Sequence, residues 1–174
     1  RNLMGQVDGT VNPGSDAEFD SLIWSTEAGW FEDGTTMVLR RLRMDLDGWD
    51  ALDRSAMEDV IGRRLSDGAP LTGEREHDDP DFAALDGAGV SLIAPGAHIR
   101  VARGSGGAPT ILRRGYNYDD SPDPSGASDL GLLFCSYQAD IGAQFVPMQQ
   151  RLADQDLLNT WVTPVGSAVF AILP

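Results

Sequence analysis

Four short segments carry residues able to do chemistry. Residues 5–10 (GQVDGT) place a carboxylate, Asp8, between glycines. An Asp-Gly pair is by default a turn; its functional reading is a carboxylate held at a pocket by glycine-permitted backbone. Residues 97–100 (AHIR) hold His98, one of only two histidines; the other, His77, lies in the charged run GEREHDDPD and reads as solvated. A lone loop histidine is by default a surface group, and its functional reading is a ligand. Residues 111–118 (ILRRGYNY) read as a strand, so only one of Arg113 and Arg114 can enter a given pocket. Arg113 shares its face with Ile111, Gly115 and Asn117, and the missing side chain at Gly115 suits close approach by a flat ligand. In residues 130–145 (LGLLFCSYQADIGAQF), Leu132 and Phe134 share a strand face, and Asp140 is placed to cap a helix.

Composition narrows the chemistry. The chain has 174 residues with 13 Lys+Arg against 27 Asp+Glu, a net charge of −14. Such a surface repels phosphate backbones and anionic lipid, so nucleic acid is not an expected partner. One cysteine, Cys135, forbids an internal disulfide, and two histidines exclude a multi-histidine metal site. A single axial histidine on a haem stays open. No apolar run approaches the ~20 residues of a membrane span. The chain begins at Arg1, directly before a motif, and reads as the middle of a longer protein.

The elements that must position these residues follow from pattern. Residues 1–34, rich in Gly and Asp, read as a long irregular loop carrying the GxxDG motif, and residues 35–174 as one domain. Within it, 35–46 alternates as a strand, and Asp47 is placed to cap a helix running to about Leu65. Residues 67–109 read mostly as loop. Strands follow at 111–118 and 130–138, joined by the turn-rich DDSPDPSGASD. A helix after Asp140 carries Ile141, Phe145, Met148 and Leu152 on one face, with Pro147 kinking it or shifting its start. The last strand spans 167–173. The order β, α, β, β, α, β predicts an α+β, ferredoxin-like split βαβ domain: an antiparallel sheet with two helices on one face. The other face needs a cover, either a cofactor or a second domain.

The order GxxDG, then HIR, RRGYNY, GLLF, an Asp opening a helix and the closing TPVGSAVFAILP resembles the dye-decolorizing peroxidases, a haem peroxidase family. The resemblance covers nearly all of the chain but only the second of that family's two ferredoxin-like domains, plus the GxxDG loop. It implies haem b as cofactor, with His98 as axial iron ligand and Asp140 accepting the other imidazole N–H. Asp8 and Arg113 would be the catalytic pair on the opposite side, with Leu132, Phe134 and Phe145 lining the cofactor. The implied activity is oxidation of dyes, phenols and other bulky aromatics by hydrogen peroxide through a high-valent iron intermediate. Tyr116, Tyr118, Tyr137 and Trp161 are candidates for relaying electrons from substrates too large for the pocket. The implied partners are peroxide, small aromatic reductants, the absent N-terminal domain as a separate chain or segment, and further copies of the chain through the uncovered face. The wording leans toward the exported branch of the family. Two alternatives stand beside this reading: a haem-handling protein that releases iron from haem, and a non-catalytic ferredoxin-like interaction module.

Overall fold

A computed structural model describes residues 1–104, 110–120, 122, 126 and 128–174. Asp16–Ile23 forms helix α1 inside the segment expected to be irregular. A capping box starts it: Ser15 Oγ accepts from the Glu18 N–H, and the Glu18 carboxylate accepts from the Ser15 N–H. Strand β1 follows at Thr35–Met44. The single helix expected over 47–65 is two, α2 (Leu46–Asp50) and α3 (Arg54–Ile61). Two aspartates cause the division. Asp45 caps the first through the Gly48 N–H, and Asp53 opens the second by accepting from the Ala56 N–H at 2.9 Å. α3 stops at Gly62, whose φ of +89° is left-handed. A side chain there would also meet Ile99 at 2.7 Å.

The stretch expected to be loop contains one further helix, α4 (His98–Arg103), with His98 as its first residue. Strands β2 (Leu112–Asp120) and β3 (Asp129–Gln138) then pair antiparallel; most of the turn between them lies outside the described residues. Helix α5 spans Phe145–Gln155, so Pro147 has shifted the start. It occupies the third helical position, where its missing N–H is one that a helix leaves unpaired. A short 3-10 turn, Leu157–Thr160, leads into β4 (Val162–Ile172), five residues earlier than expected. Pro164 is tolerated there because β4 is an edge strand and its pairing with β1 shifts register between Arg41 and Leu42.

The sheet order is β2-β3-β1-β4, with every neighbouring pair antiparallel. This is the ferredoxin-like arrangement. Register decides the faces. Arg40 lies opposite Phe134, and Phe134 opposite Gly115, so these share a face with Leu42, Leu132, Arg113 and Asn117. The helices cover that face: Phe145 of α5 stacks near Phe134 with ring centroids 6.4 Å apart, and Met44, Trp49, Val60, Ile61 and Leu132 form the core with Met4. Met37, Leu39, Leu133, Cys135, Tyr137, Tyr116, Phe170 and Ile172 point the other way. Much of that side is open among the described residues: Tyr116 is 59% and Phe170 43% exposed, while Arg41 lies over Tyr118.

Candidate active site

The GxxDG segment is an ordered loop laid along the edge strand β2. Met4 and Gln6 are buried and anchor its start, while Gly5 and Gly9 take φ of +80° and +84°, which lets the chain turn around Asp8. Asn12 sets its register. The side-chain amide of Asn12 accepts from the Arg113 N–H at 2.8 Å and donates to the Arg113 carbonyl at 2.9 Å. This reproduces one strand pairing with a side chain. It places Asp8 Oδ1 3.3 Å from Arg113 Nη2, both side chains about three-quarters buried. The Gly9 N–H donates to the same carboxylate at 2.7 Å. Gly115 leaves the room: a Cβ there would stand 2.5 Å from Asp8 Oδ2 and 3.2 Å from Leu132. Asp8, Gly9, Asn12, Arg113 and Gly115, with Arg114 and Tyr116, line a cleft of about 240 Å³.

The second half of the site lies on the helix layer. His98 Nδ1 is 2.6 Å from Asp156 Oδ2, with Asp156 5% exposed and His98 27%. Asp156 sits at the end of α5, and its other oxygen accepts from the Leu158 N–H at 2.9 Å, so the carboxylate is held at both oxygens. A carboxylate on Nδ1 keeps the proton there and leaves the Nε2 lone pair outward. Ile99 and Leu158, chain neighbours of the pair, pack against the same core cluster as Leu132 and Phe134. One apolar cluster thus joins the imidazole to the Asp8–Arg113 cleft.

A family model described as Dyp-type peroxidase, C-terminal, matches residues 1–174. The chain belongs to that family. It is 44% identical over 180 residues to the dye-decolorizing peroxidase of Thermobifida fusca, covering 99% of this chain and 42% of that protein. It is 36% identical to a deferrochelatase of Escherichia coli strain K12, again over 99% of this chain and 42% of the other. Among solved structures, a DyP-type peroxidase from Cellulomonas bogoriensis superposes with a TM-score of 0.91 at 56% identity, over 99% of this chain and 48% of that one. An oxyferrous complex of DtpA from Streptomyces lividans gives 0.92 at 44% identity, with 99% and 48% covered. The chain therefore spans about half the length of the relatives it matches.

For this Dyp-type chain the structure brings Asp8, Arg113 and Gly115 together and sets Leu132, Phe134 and Phe145 on the helix-covered face. It corrects one assignment. Asp140 does not meet His98: its Oδ1 accepts from the Gly142 and Ala143 N–H groups at 2.8 and 3.0 Å, closing the turn before α5. The carboxylate on the imidazole is Asp156, sixteen residues further on. Asp140 satisfies local backbone donors because α5 begins only at Phe145, which leaves a free turn for it to cap. The signal available for Asp156 was its place before a short helical turn, which a buried cap also requires. Of the aromatic residues considered for electron relay, Trp161 packs edge-on against buried Trp49 at 5.4 Å, and Tyr118 lies under the Arg41 guanidinium at 3.9 Å. Among the described residues no group of three His, Cys, Asp or Glu side chains could hold a metal ion, and no helix is long and apolar enough to cross a membrane.

Proposed function

We propose that this chain is the haem-binding half of a peroxidase that uses hydrogen peroxide to oxidise dyes, phenols or other bulky aromatics. The observation that carries the reading is the His98–Asp156 pair. An imidazole with Nδ1 committed to a buried carboxylate leaves Nε2 as the donor by which His98 would hold a haem iron. The residues fit such a group in a second respect. Apolar Leu132, Phe134 and Phe145 supply walls for a flat macrocycle, and Gly115 leaves the room in which the Asp8 carboxylate takes its place beside Leu132. Haem b is the form proposed, as the resemblance to the dye-decolorizing peroxidases implies.

Bound haem supplies the chemistry of two-electron reduction of hydrogen peroxide to water, balanced by two one-electron oxidations of the aromatic reductant. The protein's own groups do the rest. Asp156 orients His98 and makes it a stronger electron donor. Asp8 takes a proton from one peroxide oxygen and returns it to the other. Arg113 holds positive charge where negative charge develops. Leu132 and Phe134 exclude water and so strengthen both effects. The other half of the full-length protein is the proposed cover for the open sheet face.

The test is a haemin titration of the full-length protein followed by absorbance. A Soret band near roughly 400 nm should form with the native sequence and be lost with His98→Ala; a band unchanged by His98→Ala would overturn the ligand assignment. The deferrochelatase relatives support a second reading, iron release from haem. Iron-free porphyrin accumulating at the native rate in Asp8→Asn and Arg113→Leu variants, with no peroxide-dependent dye oxidation by the native protein, would favour it.

A further inference from the structure

We propose that Arg40 anchors a carboxylate-binding site on the flank of the sheet opposite the Asp8–Arg113 cleft. Arg40 stands on the helix-covered face of β1, half-buried between β1 and α5. Among the described residues its one side-chain partner is the Gln149 amide oxygen, which Arg40 Nη1 contacts. A guanidinium has five N–H donors, and among the described residues no carboxylate lies within ion-pair distance of this one. Among the described residues five of the thirteen arginines, Arg41, Arg54, Arg64, Arg103 and Arg113, have a carboxylate within ion-pair distance, and Arg40 is not one of them. Its neighbour Arg41 points to the open face and is held by Asp120 and Asp129 at 2.7 and 3.0 Å. Arg63, the buried arginine, donates to the Gly68 and Glu76 carbonyls. Arg40 alone among these pairs desolvation with a single neutral acceptor, and burial pulls its pKa down. A half-buried cation of this kind is costly until an anion completes it.

The space for that anion is present. Arg40, Gln149, Ala153, Asn159, Val162, Thr163 and Pro164 line a cleft of about 400 Å³ between α5 and β4. One charge, two amides, a hydroxyl and apolar walls suit a carboxylate carried on an apolar body. A phosphate dianion or polyanion would meet one cation and the field of a chain at −14. Guanidinium binds carboxylate with two parallel bonds, which the free donors of Arg40 permit.

Two sources of the carboxylate share this chemistry. Arg40 and Gly115 lie on opposite sides of Phe134 in register, two strand spacings or roughly 10 Å apart. A propionate of a cofactor seated over Phe134 is one source, and this source rests on the haem reading above. A free aromatic carboxylate acting as reductant is the other, and it does not.

The experiment uses the full-length protein with the native sequence, Arg40→Met, and Gln149→Glu, which sets a competing carboxylate beside Arg40 without changing side-chain size. Haemin and haemin dimethyl ester, whose propionates are blocked, are titrated by absorbance, and benzoate is titrated by calorimetry. If the cofactor supplies the carboxylate, the native protein prefers haemin over its ester about tenfold or more, and both variants lose that preference. If a free acid supplies it, benzoate binds the native protein one-to-one and neither variant. No preference between haemin and ester together with no benzoate binding, or binding that neither variant alters, would overturn the site. Should neither haem compound bind the native protein, the haem reading fails while the benzoate arm still decides the Arg40 site: uptake lost in both variants supports it, and no uptake overturns it.

Discussion

The carboxylate on His98 Nδ1 is 5% exposed and held at both oxygens, so Asp156 can adopt no other arrangement without losing the Leu158 cap. Its replacement should therefore be felt at the imidazole. Asp156→Asn keeps the size but removes the charge, and should lower haem affinity or peroxide turnover by about 10- to 100-fold. Asp140→Asn, whose oxygen still caps Gly142 and Ala143, should leave both within about twofold. Parallel haem titrations of the two variants check this; equal losses would return Asp140 to the site. The contrast also shows what was readable at this scale. Asp8, His98 and Arg113 stand out only through the order of their motifs along the chain, since each taken alone reads as a turn, a surface histidine or a surface arginine. Asp140 and Asp156 both precede short helical turns, and both look like caps. Only the packing of α5 against α4 distinguishes them.

At the scale of elements, the site depends on a loop held to an edge strand by Asn12, by the Asp8–Arg113 pair and by Asn117, which donates to the Arg1 carbonyl. Asn12 supplies two hydrogen bonds to Arg113 backbone, and Gly115 leaves the gap that Asp8 fills. Asn12→Ala should free the loop and cost about 1–2 kcal/mol from the two lost bonds. Gly115→Ala should act differently. Its new methyl would displace the Asp8 carboxylate, and a misplacement of that order costs about 10²-fold in rate. Thermal unfolding and steady-state peroxidase assays of both variants separate the effects: stability falls mainly in the first, turnover mainly in the second. Unchanged turnover in Gly115→Ala would show that the position of Asp8 is not what the glycine protects. Element boundaries followed the competition between caps. A continuous apolar pattern suggested one helix over 47–65, but Asp45 and Asp53 each captured a helix start and produced two. The short α4 left too few residues for a periodic pattern to register.

At the scale of the whole chain, the helices among the described residues pack on one side of the sheet. Met37, Leu39, Leu133, Tyr137, Phe170 and Ile172 share the other face, with charge at Arg41, Arg43 and Arg114 and at Asp120 and Asp129, which hold Arg41. Faces of this kind do not stay in water alone. The 174-residue chain by itself should self-associate at micromolar concentration, and Phe170→Glu should shift it toward monomer, as read by sedimentation velocity. A monomeric chain with the native sequence would mean that the face needs no cover. The full-length relatives have about as much chain again beyond the matched half, which is the size of segment such a face could accommodate.

By itself the sequence determined the order of the strands, the split βαβ topology and the placing of Arg113 and Gly115 on one face, and it pointed to Asp8, His98 and Arg113 as residues of the proposed site. These are consequences of period, caps and residue type, which act over a few neighbours. Tertiary structure alone decided which carboxylate reaches His98, that Asn12 joins the GxxDG loop to β2, and that Arg40 lies half-buried without an acidic partner. Each of these depends on contacts across 58, 101 and 109 residues of chain respectively. Register between strands and the docking of α5 set such contacts, and neither is written in local periodicity.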